Sequence, residues 1–145
     1  AESSACDIFA EMPNLIEDRG ENNIEEFGPS GPHQRLQEMY GSLLRPGNIT
    51  TIVARSGVGK PNFVMDFCTK VSLSHNLPVI HFDNGEMSKE ELMMRQCAAL
   101  SQVPIRLLET GQWRHSGDEV VKRVRSVWNK IGKYKFYYYN LYLCY

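Results

Sequence analysis

The chain has 145 residues, 42% hydrophobic and 23% charged, with a formal net charge of −1. That length carries one domain with a core and is too short for two comfortable ones. No run approaches the ~20 apolar residues a bilayer span requires, and AESSACDIFAEMPN has neither the basic start nor the apolar centre of a secretory signal.

Charge is unevenly spread. Residues 1–27 hold eight acids against Arg19 alone, so the remainder is net positive. Apolar residues Ile8, Phe9, Met12, Leu15 and Ile16 have helical spacing there, which Pro13 is expected to interrupt. The segment reads as an acidic linker over 1–29, and FGPSGPH marks the edge of the domain that follows, 30–145. A short helix is predicted through HQRLQEMYGSLL, and RPGN turns the chain into NITTIVA. That stretch, rich in β-branched residues, predicts a strand buried on both faces.

After ARSGVGKPN comes a helix, NFVMDFCTKVSLSH, with Phe63, Val64, Phe67 and Val71 on one stripe. PVIHFD predicts a second buried strand. Ser88 and Glu91 have capping-box spacing at the start of KEELMMRQCAALSQ. A short helix through VPIRLLETGQ is ended by Gly111. A longer one, GDEVVKRVRSVWNKIGK, repeats Val120, Val121, Val124, Val127, Trp128 and Ile131, and Gly132 stops it. KFYYYN predicts a third strand. Strands alternating with helices of this length imply an α/β fold with a mostly parallel sheet. The four cysteines, Cys6, Cys68, Cys97 and Cys144, have no paired spacing, which favours reduced thiols in a cytoplasmic compartment over zinc or disulfides.

The chemistry concentrates in two places. Ala54, Arg55, Ser56, Gly57, Val58, Gly59, Lys60 and Pro61 stand between the first predicted strand and an amphipathic helix. Glycines there let backbone N–H groups turn toward a phosphate, the helix adds its positive end, and Lys60 reaches the outer phosphates. Pro61 occupies the place of the Ser or Thr that ligates Mg²⁺. Its fixed φ suits a first helical turn, but it brings neither a hydroxyl nor an N–H. The loop therefore reads as able to bind a nucleotide and poorly able to use it. Second, IHFDNGEMS ends a strand with Asp83 and Glu86. At the carboxyl end of a parallel strand Glu86 is the candidate base that polarises a water, and Asp83 a metal-side acid. Both carboxylates read equally as loop residues capping the next helix. From Arg114 to Lys135 seven basic residues face only Asp118 and Glu119. The run reads first as a solvated helix face, with contact to nucleic-acid phosphates or an acidic neighbour as the alternative.

IVARSGVGK followed by VIHFDNGEMSKEELMMRQCAALSQVP resembles the ATPase domain of DnaB-type replicative helicases and their phage relatives, over roughly residues 28–140. Those carry an A-R-x-x-x-G-K-[ST] loop, a strand ending in a segment like F-S-L-E-M, and an arginine in the next helix. The resemblance implies a RecA-like P-loop core, ATP with Mg²⁺, and a hexameric ring on single-stranded DNA. By matching position Lys60 is the phosphate lysine, Glu86 the catalytic glutamate and Arg95 the arginine of the following helix. The acidic N-terminal stretch resembles the linker that packs on a neighbouring subunit, so a homo-oligomer is implied.

Two departures from that pattern carry expectations. Pro61 stands where the family has its metal-binding hydroxyl. The strand with the Walker B aspartate, the DNA-binding loops and the arginine finger would follow KFYYYN, so the core is expected to be incomplete at its C-terminal side. Weak hydrolysis, weak DNA binding and an apolar, partner-seeking YYYNLYLCY follow from these. A non-catalytic oligomerisation module of the same fold and another RecA-like ATPase of recombinase type remain alternative readings.

Overall fold

The structure, a computed structural model, describes residues 5–132 and 134–141, with Asn140 described by its backbone alone. The first helix, α1 (Ile8–Glu21), is capped by Asp7, whose carboxylate accepts the Phe9 N–H at 3.0 Å. Pro13 lies inside α1 and does not interrupt it, contrary to the sequence expectation. The reason is solvent: the intrahelical bond proline removes is the one to the Phe9 carbonyl, and on a helix with no buried residue water can take that acceptor. The apolar stripe Ile8, Phe9, Met12, Leu15 and Ile16 is exposed throughout.

From Glu26 onward the chain is tied down. Arg45 lies over the Phe27 ring at 5.3 Å, Ser42 Oγ donates to the Pro29 carbonyl at 2.8 Å, and the Gly31 N–H donates to Gln37 Oε1 at 2.9 Å. Gln37 belongs to α2 (Gln34–Tyr40). The turn before α2 places His33 against Phe63 and Phe67 of α3 (Lys60–His75), with ring centroids 5.5 and 6.1 Å away.

NITTIVA does not form the expected buried strand. Residues 48–54 are irregular and exposed, Ile49 at 94% and Val53 at 88%. A strand buried on both faces needs a ladder beside it and layers above and below it; among the described residues the two strands pair with each other and neither lies alongside this segment. These are β1 (Val79–Asp83) and β2 (Phe136–Asn140), parallel and in register from Val79↔Phe136 to Asp83↔Asn140. KFYYYN is thus the second strand of the sheet rather than the third. The α/β class and the parallel pairing are as the alternation of elements implied. Residue 142 onward, the end of the apolar tail, lies outside the described residues.

The two-residue period divides the sheet's faces. Val79, His81, Asp83, Phe136 and Tyr138 point inward, while Ile80, Phe82, Tyr137 and Tyr139 are exposed. The rings pair across the strands: His81 stacks on Phe136 and Tyr138, and Phe82 on Tyr139, at 5.5–5.8 Å.

Between the strands run α4 (Lys89–Ser101), α5 (Ile105–Glu109), a 3-10 turn over 112–115 and α6 (Asp118–Ile131). Ser88 caps α4 as its spacing predicts, accepting the Glu91 N–H at 3.1 Å. Two small cores result. Met65, Met87 and Leu92 pack together under Phe136 and Tyr138. Val103, Leu108 and Val124 pack with Met94, Cys97, Leu107 and Trp113. Val124 and Val127 are the buried members of the predicted α6 stripe, whereas Trp128 stands exposed.

Candidate functional site

The loop before α3 is built by two left-handed glycines. Gly57 has φ of 79° and Gly59 of 96°, values that L side chains resist, and a Cβ on either would meet nothing within 4 Å. Space is therefore open beside both glycines. Arg55 closes the turn, its carbonyl accepting the Val58 N–H at 3.5 Å. Gly59 is the N-cap of α3, Lys60 its first residue and Pro61 its second, so Pro61 fits the first turn as its φ requires. Ala54, Arg55, Ser56, Gly57 and Val58 are exposed, as is Lys60; Gly59 and Pro61 are half-buried. A helix start with glycine-opened amides and a free lysine suits a phosphate group.

Asp83 and Glu86 share one tight turn and divide its work. Asp83 is buried; its Oδ1 accepts the Gly85 N–H at 2.7 Å and the Met87 N–H at 3.3 Å, and His81 Nε2 stands 3.5 Å from Oδ2. Burial works to raise its pKa, but the hydrogen bonds from Met87, His81, Gly85 and Glu86 together outweigh it and hold the carboxyl below the ordinary aspartate range. Glu86 by contrast is exposed. The Met87 side chain plugs into the core beside Met65 of α3, so the turn bearing Glu86 and the helix led by Lys60 meet in one apolar cluster.

Magnesium fits these residues poorly. Pro61 has no oxygen ligand on its side chain, Asp83 Oδ1 is engaged by two backbone amides, and no group of three His, Cys, Asp or Glu side chains comes together among the described residues.

Arg95 of α4 reaches the other side of the same helix start. Its Nη1 donates to Asn62 Oδ1 at 2.6 Å and its Nη2 to Glu91 Oε1 at 2.7 Å. Asn62 immediately follows Pro61, and nothing in its spacing singled it out. Tyr138 was also unmarked by the sequence; its hydroxyl donates to the Met87 carbonyl at 2.7 Å.

The basic run is partly structural. Arg123 donates to the Ser101 and Gln102 carbonyls, and Lys130 donates to the Leu100 carbonyl at 3.1 Å. Both thereby satisfy open carbonyls at the C-terminal end of α4. Arg114, Lys122, Arg125 and Lys135 are exposed, and Lys133 lies outside the described residues. Among the described residues no helix is long and apolar enough to cross a membrane.

Residues 30–140 match the family model described as the DnaB-like helicase C terminal domain. Among similar proteins, the replicative DNA helicase DnaB of Buchnera aphidicola subsp. Baizongia pistaciae is 37% identical over 157 aligned positions, covering 95% of this chain and 33% of that protein. The replicative DNA helicase DnaB of Pasteurella multocida is 35% identical over 89 positions, 61% of this chain and 17% of that protein. That of Buchnera aphidicola subsp. Schizaphis graminum is 35% identical over 97 positions, 67% and 20% respectively. The chain thus spans a third or less of the length of these relatives. With more than two thirds of its residues inside the family match, the chain belongs to the DnaB-like helicase C-terminal domain family.

Proposed function

We propose that residues 30–145 are part of a RecA-like motor domain that binds ATP at the loop 54–61 and hydrolyses it slowly. The observation that carries this reading is the pair of left-handed glycines opening the N-terminus of α3 directly before Lys60. In this reading Lys60 and the amides of residues 57, 59 and 60 hold the β- and γ-phosphates, the Val58 amide being turned to the Arg55 carbonyl. Glu86 accepts a proton from the attacking water; the bond between the γ-phosphorus and the β,γ-bridging oxygen breaks, and ADP leaves with the electron pair. Pro61 and the engaged Asp83 leave the phosphate charge without a protein-held metal, which limits the rate.

The same reading gives residues 1–29 the part of a linker that docks on a neighbouring subunit of a ring on single-stranded DNA. Two features support it. The apolar stripe of α1 is exposed, with no residue of the helix buried among the described residues. A groove of about 720 Å³ between α4, α6 and β2 presents Leu92, Leu100, Leu108, Trp113, Trp128 and Ile131. A purely non-catalytic oligomerisation module draws support from these two features as well.

Isothermal titration with ATP, followed by single-turnover hydrolysis, tests the proposal. Saturable binding that Lys60→Ala abolishes, with hydrolysis that Glu86→Gln slows, is the expected result. ATP binding by Lys60→Ala equal to the parent's would overturn the assignment of the loop, and binding without any glutamate-dependent turnover would favour the non-catalytic module.

A further inference from the structure

Glu86 sits in a turn whose every other attachment is fixed. Asp83 takes the amides on either side of it, at Gly85 and Met87. The Met87 side chain is buried between α3 and α4, against Met65 and Leu92. The Met87 carbonyl, one peptide beyond Glu86, accepts from the Tyr138 hydroxyl at 2.7 Å. Tyr138 is itself held: its ring stacks on His81 at 5.8 Å, and its backbone pairs with His81 in the parallel ladder. A phenol on the adjacent strand therefore reaches past the end of β1 and holds the turn by the Met87 carbonyl, while Asp83 holds it by the Gly85 and Met87 amides.

We propose that Tyr138 is a positioning residue for Glu86: its hydroxyl, by anchoring the Met87 carbonyl, fixes the far end of the turn from which the Glu86 carboxylate is aimed. This rests on Glu86 acting on the attacking water as proposed above. Tyr138 touches neither nucleotide nor water in this role. Its effect falls on the rate of the step Glu86 assists, not on ATP affinity, because a base must be aligned with its water while the phosphates are held elsewhere, by Gly57–Lys60. Phenylalanine keeps the ring on His81 and removes only the anchor.

Single-turnover hydrolysis, with the full chain in excess over γ-labelled ATP, is measured for the parent, Tyr138→Phe, Glu86→Gln and the double variant, alongside calorimetric ATP affinity. Tyr138→Phe is expected to slow hydrolysis by about tenfold, the rate equivalent of one net hydrogen bond, at unchanged affinity. In the Glu86→Gln background the same substitution is expected to change nothing, since it acts through that side chain. An equal loss in both backgrounds, or a parent rate in Tyr138→Phe, would overturn the positioning role. A parent no faster than Glu86→Gln would overturn it too, there being no glutamate step to aim. Failure of the parent to bind ATP at all would instead remove the underlying reading, which the calorimetric arm reports separately.

Discussion

Arg95 joins α4 to α3 by donating from Nη1 to Asn62 Oδ1 at 2.6 Å while its Nη2 holds Glu91 one helical turn back. The link ends on the residue after Pro61, so it braces the first turn of the helix that follows the loop 54–61. Arg95→Ala and Asn62→Ala should each lower unfolding stability by about 1 kcal/mol, and the double variant by little more than either. Urea unfolding of the three proteins checks this; strictly additive losses would mean that the pair does not brace the helix.

Pro61→Thr restores both an N–H and a hydroxyl at the second position of α3. ATP affinity should be nearly indifferent to Mg²⁺ in the parent and should become metal-dependent in this variant if the remainder of the pocket is formed. Titrations with and without Mg²⁺ measure it. A variant still indifferent to metal would place the defect in the surrounding fold and not in the proline.

Asp83 carries an acid-side stability term. Its folded pKa lies below the ordinary aspartate value because hydrogen bonds from Met87, His81, Gly85 and Glu86 outweigh the effect of burial. A depressed folded pKa means that the folded state binds fewer protons than the unfolded one. The contribution is therefore complete above the ordinary carboxylate range and is lost as pH falls through the folded value. The urea midpoint should accordingly fall as pH drops below about 4. Asp83→Asn should be less stable than the parent at pH 7 and should lose part of that acid-side slope. An unchanged slope in Asp83→Asn would show that other carboxylates govern it.

Arg123 and Lys130 occupy carbonyls at the end of α4, whereas Lys122 and Arg125 are exposed. Replacing Arg123 by Ala should cost stability, about 1 kcal/mol for the lost hydrogen bonds. Replacing Lys122 or Arg125 should leave stability within about 0.5 kcal/mol. Affinity of the chain for single-stranded DNA should be low and non-specific and should fall with added salt. Tight binding that persists at high salt would point to base contacts instead.

The exposed stripe of α1 predicts self-association. Deleting residues 1–27 removes the stripe and eight acids together, and the apparent mass in light scattering at low salt should fall. Phe9→Asp within the full chain should do the same by charging the stripe. A mass unchanged by both would count against the docking role of α1.

Much of this fold was legible because its signals are local. The amphipathic stripes of α3 and α6, the Gly132 stop of α6, the Ser88 cap of α4, and the aromatic and β-branched runs of β1 and β2 lie within single elements. What was not legible depends on neighbours. Ile49 and Val53 carry the composition of a buried strand, yet burial requires flanking strands and covering layers that no feature of NITTIVA encodes. Pro13 failed to break α1 because the cost of its missing amide depends on solvent, which reaches a helix with no buried residue. The loop 54–61 and the Asp83–Glu86 turn stood out by residue type. Asn62 and Tyr138 did not, since an asparagine in a helix and a tyrosine in a strand acquire meaning only when Arg95 and the Met87 carbonyl are brought beside them.

The parallel pairing of β1 with β2 also orders the molecule in time. All of α4, α5 and α6 lie between the two strands, so no turn can nucleate the pair as it would a hairpin. The ends of that long crossover are expected to meet after the helices have condensed around Val103, Leu108 and Val124, because closing an extended linker of that length is entropically unfavourable. The three-helix segment is therefore expected to be the early unit and the sheet the late one. The turn that bears Glu86, anchored on Tyr138, should then be assembled in the last stage of folding and be the first part released when the chain opens, an order that hydrogen exchange of its amides would read.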